Sequence, residues 1–214
     1  MRKVKKFKLT SEFIVDISGV KLFRIKALIE FGNVKAGDLG GYIEKEENLS
    51  HMGDAWVSDD ARISGDAQVF GNAWVFGNAR VSGNAQVFGD AWVSGDTQVF
   101  GDARVFGNAW VSGNARVFGD AQVFGNARVS GDAQVFGDAR VSGDKDYAYA
   151  HGFGSCNRTT TFFRLKDGDV GVRCGCFYGT LAQFRDKVCE THGETKKAQE
   201  YLMLADLMEI RFKN

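Results

Sequence analysis

Between residues 53 and 142 apolar and polar positions alternate on a fixed six-residue beat. The unit is Gly-(Asp/Asn)-Ala-x-Val-(Phe/Ser), written fifteen times, first as Gly53-Asp54-Ala55-Trp56-Val57-Ser58 and last as Gly137-Asp138-Ala139-Arg140-Val141-Ser142. At the fixed positions only Asp59 for Gly, Ile63 for Val and Thr97 for Ala depart. Ala and Val lie two residues apart, so on an extended chain both face one side, while x and the Phe/Ser position face the other. Gly followed by Asp or Asn tolerates positive φ and makes a corner. The beat suits no amphipathic helix and predicts short strands separated by corners. Three strands and three corners close a triangular coil of eighteen residues, with Ala and Val inside.

This repeat resembles the hexapeptide-repeat, left-handed parallel β-helix proteins, whose signature places a small residue two positions before an aliphatic one, as Ala-x-Val does here. The resemblance implies an all-β solenoid. It covers residues 53–142 and specifies fold more than function. Gly falls two residues after Val rather than one, a variant of the signature.

The eighteen-residue coil lets the outer surface be read by columns. The first face carries Trp56, Trp74, Trp92, Trp110 and then Arg128, beside Ser58, Phe76, Ser94, Ser112 and Ser130. The second carries Arg62, Arg80, Gln98, Arg116 and Gln134, beside Ser64, Ser82, Phe100, Phe118 and Phe136. The third carries Gln68, Gln86, Arg104, Gln122 and Arg140, beside Phe70, Phe88, Phe106, Phe124 and Ser142. All four Trp of the protein fall in one column. Two readings apply: rings at coil spacing stack on one another and stiffen the sheet, or the rows form apolar faces that another chain or the C-terminal segment covers. The expected interaction residues are these Trp and Phe columns. Corner columns mix Asp with Asn, as in Asp60, Asn78, Asp96, Asn114 and Asp132, which spaces like charges apart.

Flanking segments divide the chain into residues 1–52, 53–144 and 145–214. In the first, residues 7–9 and 21–29 read as strands. Residues 31–43 come close to the beat without matching it and read as an irregular opening coil, which covers the end of the stack. Gly40-Gly41 reads as a corner. Residues 145–158 break the beat and read as an exit loop, where Tyr147, Tyr149 and His151 could build a ligand site. Residues 159–166 and 170–177 read as a hairpin around Asp167-Gly168. Thr180-Leu181-Ala182-Gln183 is a capping-box helix start, with an end near Gly193. Residues 196–212 read as a second helix with apolar residues on more than one face, which calls for burial on two sides.

Formal net charge is zero, but residues 53–144 hold eleven Asp and six Arg without Lys or Glu, a net of −5, and the remainder carries +5. An acidic repeat argues against a nucleic-acid groove along it. No apolar run approaches a membrane span. The basic N-terminus leads into no apolar stretch of a secretory signal. Four Cys without such a signal point to reduced thiols, so a cytoplasmic location is expected.

Chemistry is sparse. The repeat has no His, Cys, Lys or Glu and no inserted loop. Family resemblance supplies one enzymatic alternative, an acyl-CoA-dependent acyltransferase with His51 or His151 at a subunit boundary. Cys174, Cys176, Cys189 and His192, with Cys156, could in number supply a zinc site. Against it, Cys174 and Cys176 alternate with Val170 and Val172 as small buried residues would. The expectation is no metal, no cofactor and no catalytic residue. A second resemblance rests on Gly37-Asp38-Leu39-Gly40-Gly41-Tyr42, Asn48-Leu49-Ser50, Lys166-Asp167-Gly168, Cys174-Gly175-Cys176-Phe177 and Thr191-His192-Gly193. With the hexads these residues resemble a group of bacterial and phage proteins labelled polymer-forming or transferase. This resemblance implies a phage or prophage origin. The reading is a non-enzymatic binding or scaffold protein that associates with itself or a protein partner. On a phage origin, inhibition of a host defence complex is the expected use.

Overall fold

The computed structural model describes residues 4–154 and 158–213. Every hexad forms one two-residue strand, from β4 (Trp56–Val57) to β18 (Arg140–Val141), and the strands fall into three parallel stacks. Register follows the eighteen-residue spacing: Trp74 lies over Trp92, Gln98 over Arg116 and Arg104 over Gln122. An irregular opening coil adds strand β3 (Leu39–Ile43), paired in parallel with β5 (Arg62–Ile63), and a bridge from Leu49 to Val69. The result is a β-solenoid of about six turns. Every hexad Ala and Val is fully buried, as are Ile63 and Thr97 at two of the departures. Thr97 is tolerated inside because its hydroxyl donates to the Ser94 carbonyl at 2.6 Å.

Two corners show why the beat needs Gly. Gly95 sits at φ 72°, and a Cβ there would lie 2.8 Å from the Gly113 carbonyl oxygen. Asp59 takes the same left-handed region at φ 56°, and its carboxylate accepts from the Gly77 N–H at 2.9 Å. Corner amides donate to corner carboxylates one coil on, as from Asn72 to Asp90 and from Asn78 to Asp96, both at 3.0 Å. Where Asn precedes Asp in a corner column, a hydrogen bond thus replaces a like-charge contact, whereas Asp102, Asp120 and Asp138 follow one another in the third column.

A parallel solenoid has polar ends. Each coil donates its N–H groups to the carbonyls of the next, for example Trp74 N–H to Ala91 O at 2.9 Å. The first complete coil therefore presents carbonyls with no coil before it, and the last presents N–H groups with none after it. Backbone N–H groups of Tyr42, Glu44 and Ser50 donate to the oxygens of Ala61, Ile63 and Val69. Two side chains complete this cap. Asn48 Nδ2 donates to Gly65 O and Ala67 O, and Lys6 Nζ to Gly53 O and Ala55 O. At the far end acceptors take over: Asp144 Oδ1 accepts from Arg128 N–H, Thr161 Oγ1 from Gln134 N–H, and Asp146 Oδ2 from Ser142 N–H.

The flanking elements partly depart from the sequence reading. β1 (Phe7–Val15) and β2 (Lys21–Ala27) form an antiparallel pair that continues the second stack through β3. The expected exit loop is instead largely a strand, β19 (Tyr147–Phe153), because Tyr147 and Ala148 pair with Phe163 and Phe162. The expected hairpin is part of a four-stranded antiparallel sheet of β19, β20 (Arg158–Arg164), β21 (Val170–Cys174) and β22 (Phe177–Thr180). Residues 170–177 do not form one strand, since Gly175 at φ 58° turns the chain back and pairs Cys174 with Phe177. That is Gly at the first position of a two-residue hairpin turn.

Helix α1 (Leu181–His192) carries the expected capping box, Thr180 accepting from Gln183 N–H and Gln183 from Thr180 N–H. Helix α2 (Lys196–Phe212) buries Ala198, Tyr201, Ala205, Met208 and Phe212 against α1 and the sheet. Met203, Leu207 and Ile210 are exposed, so the β-helix does not cover a second side of the helix. Among the described residues no helix is long and apolar enough to cross a membrane.

Candidate interaction face

The aromatic columns behave differently from one another. In the third stack Phe70, Phe88, Phe106 and Phe124 lie flat on each other, with centroids 4.8, 4.9 and 5.2 Å apart and interplanar angles of 7° or less. In the second stack Phe100 lies flat on Phe118 at 4.8 Å, and Phe118 meets Phe136 at 4.4 Å. The tail covers the end of that column. Tyr178 meets Phe136 edge-on at 4.5 Å, and the Arg173 guanidinium lies 5.1 Å from the Phe136 centroid. The rings of both Phe columns are half-buried, by stacking on one another and, at Phe118 and Phe136, by the tail.

The Trp column is graded from covered to open. Trp56 is buried under the edge of Phe31 at 5.4 Å, so the N-terminal segment covers the first ring of the ladder. Trp74 is half-buried. Trp92 and Trp110 are 44% and 42% exposed, although both lie on interior strands of the stack. Their centroids lie 6.3 Å (Trp74–Trp92) and 5.9 Å (Trp92–Trp110) apart, wider than in the Phe columns. Phe76 sets its edge against Trp92 at 5.8 Å, and Trp110 Nε1 donates to Ser94 Oγ at 3.5 Å. The ladder is therefore fixed in place while its outer surfaces face water. A groove of ≈ 260 Å³ lies beside Trp74 and Trp92, lined also by Gly32, Asn33, Asp54, Asn72 and Asp90.

The three histidines are scattered. His51 belongs to the N-terminal cap. It stacks on Phe7 at 4.3 Å, its Nδ1 accepts from Lys6 N–H at 3.2 Å, and its Nε2 lies 3.9 Å from Glu46. Burial lowers its pKa against the opposing pull of Glu46. His151 is on β19 with Nδ1 2.9 Å from Thr159 Oγ1, beside exposed Tyr149, whereas Tyr147 is buried in the core. His192 stacks on Tyr201 at 5.8 Å in the tail. Cys174, Cys176 and His192 line one tail cleft, but Cys189 is exposed on α1 and does not line it. Cys156 lies outside the described residues. Among the described residues no three His, Cys, Asp or Glu side chains gather where they could hold a metal ion.

The sequence reading missed Lys6 and Asn48. Lys6 is 1% exposed, and burial lowers its pKa to about 8, against the opposing pull of Asp54. The chain is a β-solenoid repeat protein. Residues 67–83, 79–95, 97–113 and 121–135 match the family model described as YdcK beta solenoid repeat. No curated protein matches the chain. The matched stretches include Trp74, Trp92 and Trp110, so the Trp ladder stands on the repeat itself.

Proposed function

We propose that this protein is a non-enzymatic binding scaffold whose open Trp ladder receives a protein partner or a second copy of the chain. One observation carries the reading: Trp92 and Trp110, on interior strands of a rigid stack, keep more than two-fifths of their surface in water. Large aromatics exposed side by side on a flat support are what interfaces use as anchors. Because backbone pairing holds the ladder, little ordering cost accompanies binding. The resemblance to phage and prophage proteins makes a host defence complex in the cytoplasm the first class of target to search. The competing acyltransferase reading lacks support at His51, whose Nδ1 is engaged and whose Nε2 faces Glu46.

The test is the Trp92→Ser/Trp110→Ser double variant, checked for native circular dichroism. Light scattering would give its mass, and affinity capture from host lysate would give its partners. A changed mass or a lost partner supports the reading. Unchanged mass and an unchanged partner set reject it. Binding of acetyl-CoA with turnover would favour the enzyme.

A further inference from the structure

The Trp ladder differs from the other two faces in charge as well as exposure. The second stack carries Arg62, Arg80 and Arg116 in its outer column, and the third carries Arg104 and Arg140. From Trp56 to Trp110 the first carries no basic residue, and Arg128 only closes its far end. Its borders mix Asp with neutral Asn and carry no base: Asn72 and Asn108 lie on one side and Asn78 and Asn114 on the other, between or beyond the acids. Asp54 and Asp90 occupy the corner column before the Trp residues, and both line the groove with Trp74 and Trp92. Asp59, Asp60 and Asp96 occupy the corner on the opposite side. Neutral groups are the hydrogen-bond donors here: Asn72 to Asp90, Asn78 to Asp96, and the Gly77 N–H to Asp59. Among the described residues none of these five carboxylates forms an ion pair, although Asp54 lies in the field of buried Lys6.

A face of indole rings edged by unpaired carboxylates is complementary to organic cations. The carboxylates attract a guanidinium or ammonium, and the exposed parts of the indoles offer apolar and π surface to its stem and head. Spacing narrows the class further. Ladder centroids lie 6.3 and 5.9 Å apart. Alternate side chains on one face of an extended chain lie about 6.8 Å apart. An extended segment laid along the solenoid axis can thus set alternate residues against successive Trp. The surface is an open trough rather than an enclosed cage, which suits a segment over a small ligand.

We propose that the Trp ladder docks an extended protein segment bearing arginine or lysine at alternate positions. This inference rests on the Trp-face reading above and names the chemistry of its partner.

The probe is a fluorescein-labelled octapeptide of alternating Arg and Ser, titrated with the full chain and read by anisotropy. Peptides with Leu or Glu in place of Arg are the comparisons. The Arg peptide should bind at least tenfold more tightly than the Leu peptide, and the Glu peptide should not bind. Trp92→Ala should weaken the Arg peptide about two- to fivefold, as expected for an exposed cation–π contact. Asp90→Asn with Asp96→Asn should weaken it and flatten its salt dependence. Asn already occupies both corner columns at Asn72 and Asn78, so this variant keeps the fold. Arg80→Ala, on another face, should change nothing.

Equal or tighter binding of the Leu peptide overturns the proposal, as does indifference to Trp92→Ala, which would reduce the effect to general attraction by the acidic repeat. If the native partner is lost with the Trp residues but the Arg peptide does not bind, the cation inference falls and the Trp-face reading stands. If peptide binding needs Trp92 but mass and partners ignore it, the Trp-face reading falls.

Discussion

Replacing Lys6 by Met should cost little at neutral pH and progressively more as pH rises. In the native chain Lys6 Nζ donates to Ala55 O at 2.7 Å and to Gly53 O at 3.1 Å, at the end where the solenoid presents bare carbonyls. Losing those donors strands two carbonyls, each costing about 1–3 kcal/mol. Against this, the native ammonium is held where burial lowers its pKa from 10.5 to about 8. That shift means the charged form is destabilised on folding by about 3 kcal/mol, at about 1.4 kcal/mol per unit. Below pH 8 folded and unfolded chains are both protonated, and the penalty is present in full. Between pH 8 and 10.5 the unfolded chain binds the extra proton, so native stability rises with pH. The neutral amine keeps its two N–H donors and so keeps both hydrogen bonds. Lys6→Met removes hydrogen bonds and penalty together. Its net cost should lie between about −1 and 3 kcal/mol at pH 7 and be about 2 kcal/mol greater at pH 9.5. Urea denaturation of both proteins at pH 7.0, 8.5 and 9.5 measures this difference. Hydrogen exchange over residues 53–57 would localise it. A cost that is flat or that shrinks with pH would refute the reasoning.

Three further outcomes follow from packing and stacking. Gly40→Ala should destabilise by about 1–3 kcal/mol, the range for overpacking, because its Cβ would lie 2.5 Å from Val57 O and 2.7 Å from Trp56 Cζ2. Thermal denaturation checks this against Gly143→Ala, where nothing lies within 4 Å and the melting temperature should hold. Phe88→Ala should lose two ring stacks, about 1–3 kcal/mol beyond the apolar area it buries, yet leave partner capture intact, since it lies on the third stack. Asp146→Ala should fray the far end, as its Oδ2 accepts from Ser142 N–H, Ser142 Oγ and Gly143 N–H. Increased exchange at Ser142 and Gly143 would report it.

The body of the solenoid was legible because side-chain direction alternates with period two and the hexad never slips register. Ala and Val at fixed places therefore set both the coil and the columns. The caps were not legible, because their logic is long-range. Lys6 sits in a basic run that reads as solvated, and nothing local says that it reaches Gly53 and Ala55. Asn48 pairs with backbone at Gly65 and Ala67 one coil on, a contact visible only once the opening coil is placed. The tail departs from its pattern for a local reason: Gly175 sits between two Cys in a segment that alternates like a strand, and its positive φ turns the chain there. On the candidate face, the ladder's membership was in the sequence, but its grading from buried Trp56 to open Trp110 depends on where Phe31 folds back.

The most direct test of the Trp-face account is site-specific photo-crosslinking in host cells. Benzoylphenylalanine would replace Trp92 on the open ladder and, separately, Arg104 on the third stack. The account expects a crosslinked species from position 92 that is absent from position 104. Crosslinks of equal yield from both positions, or none from position 92, would contradict it.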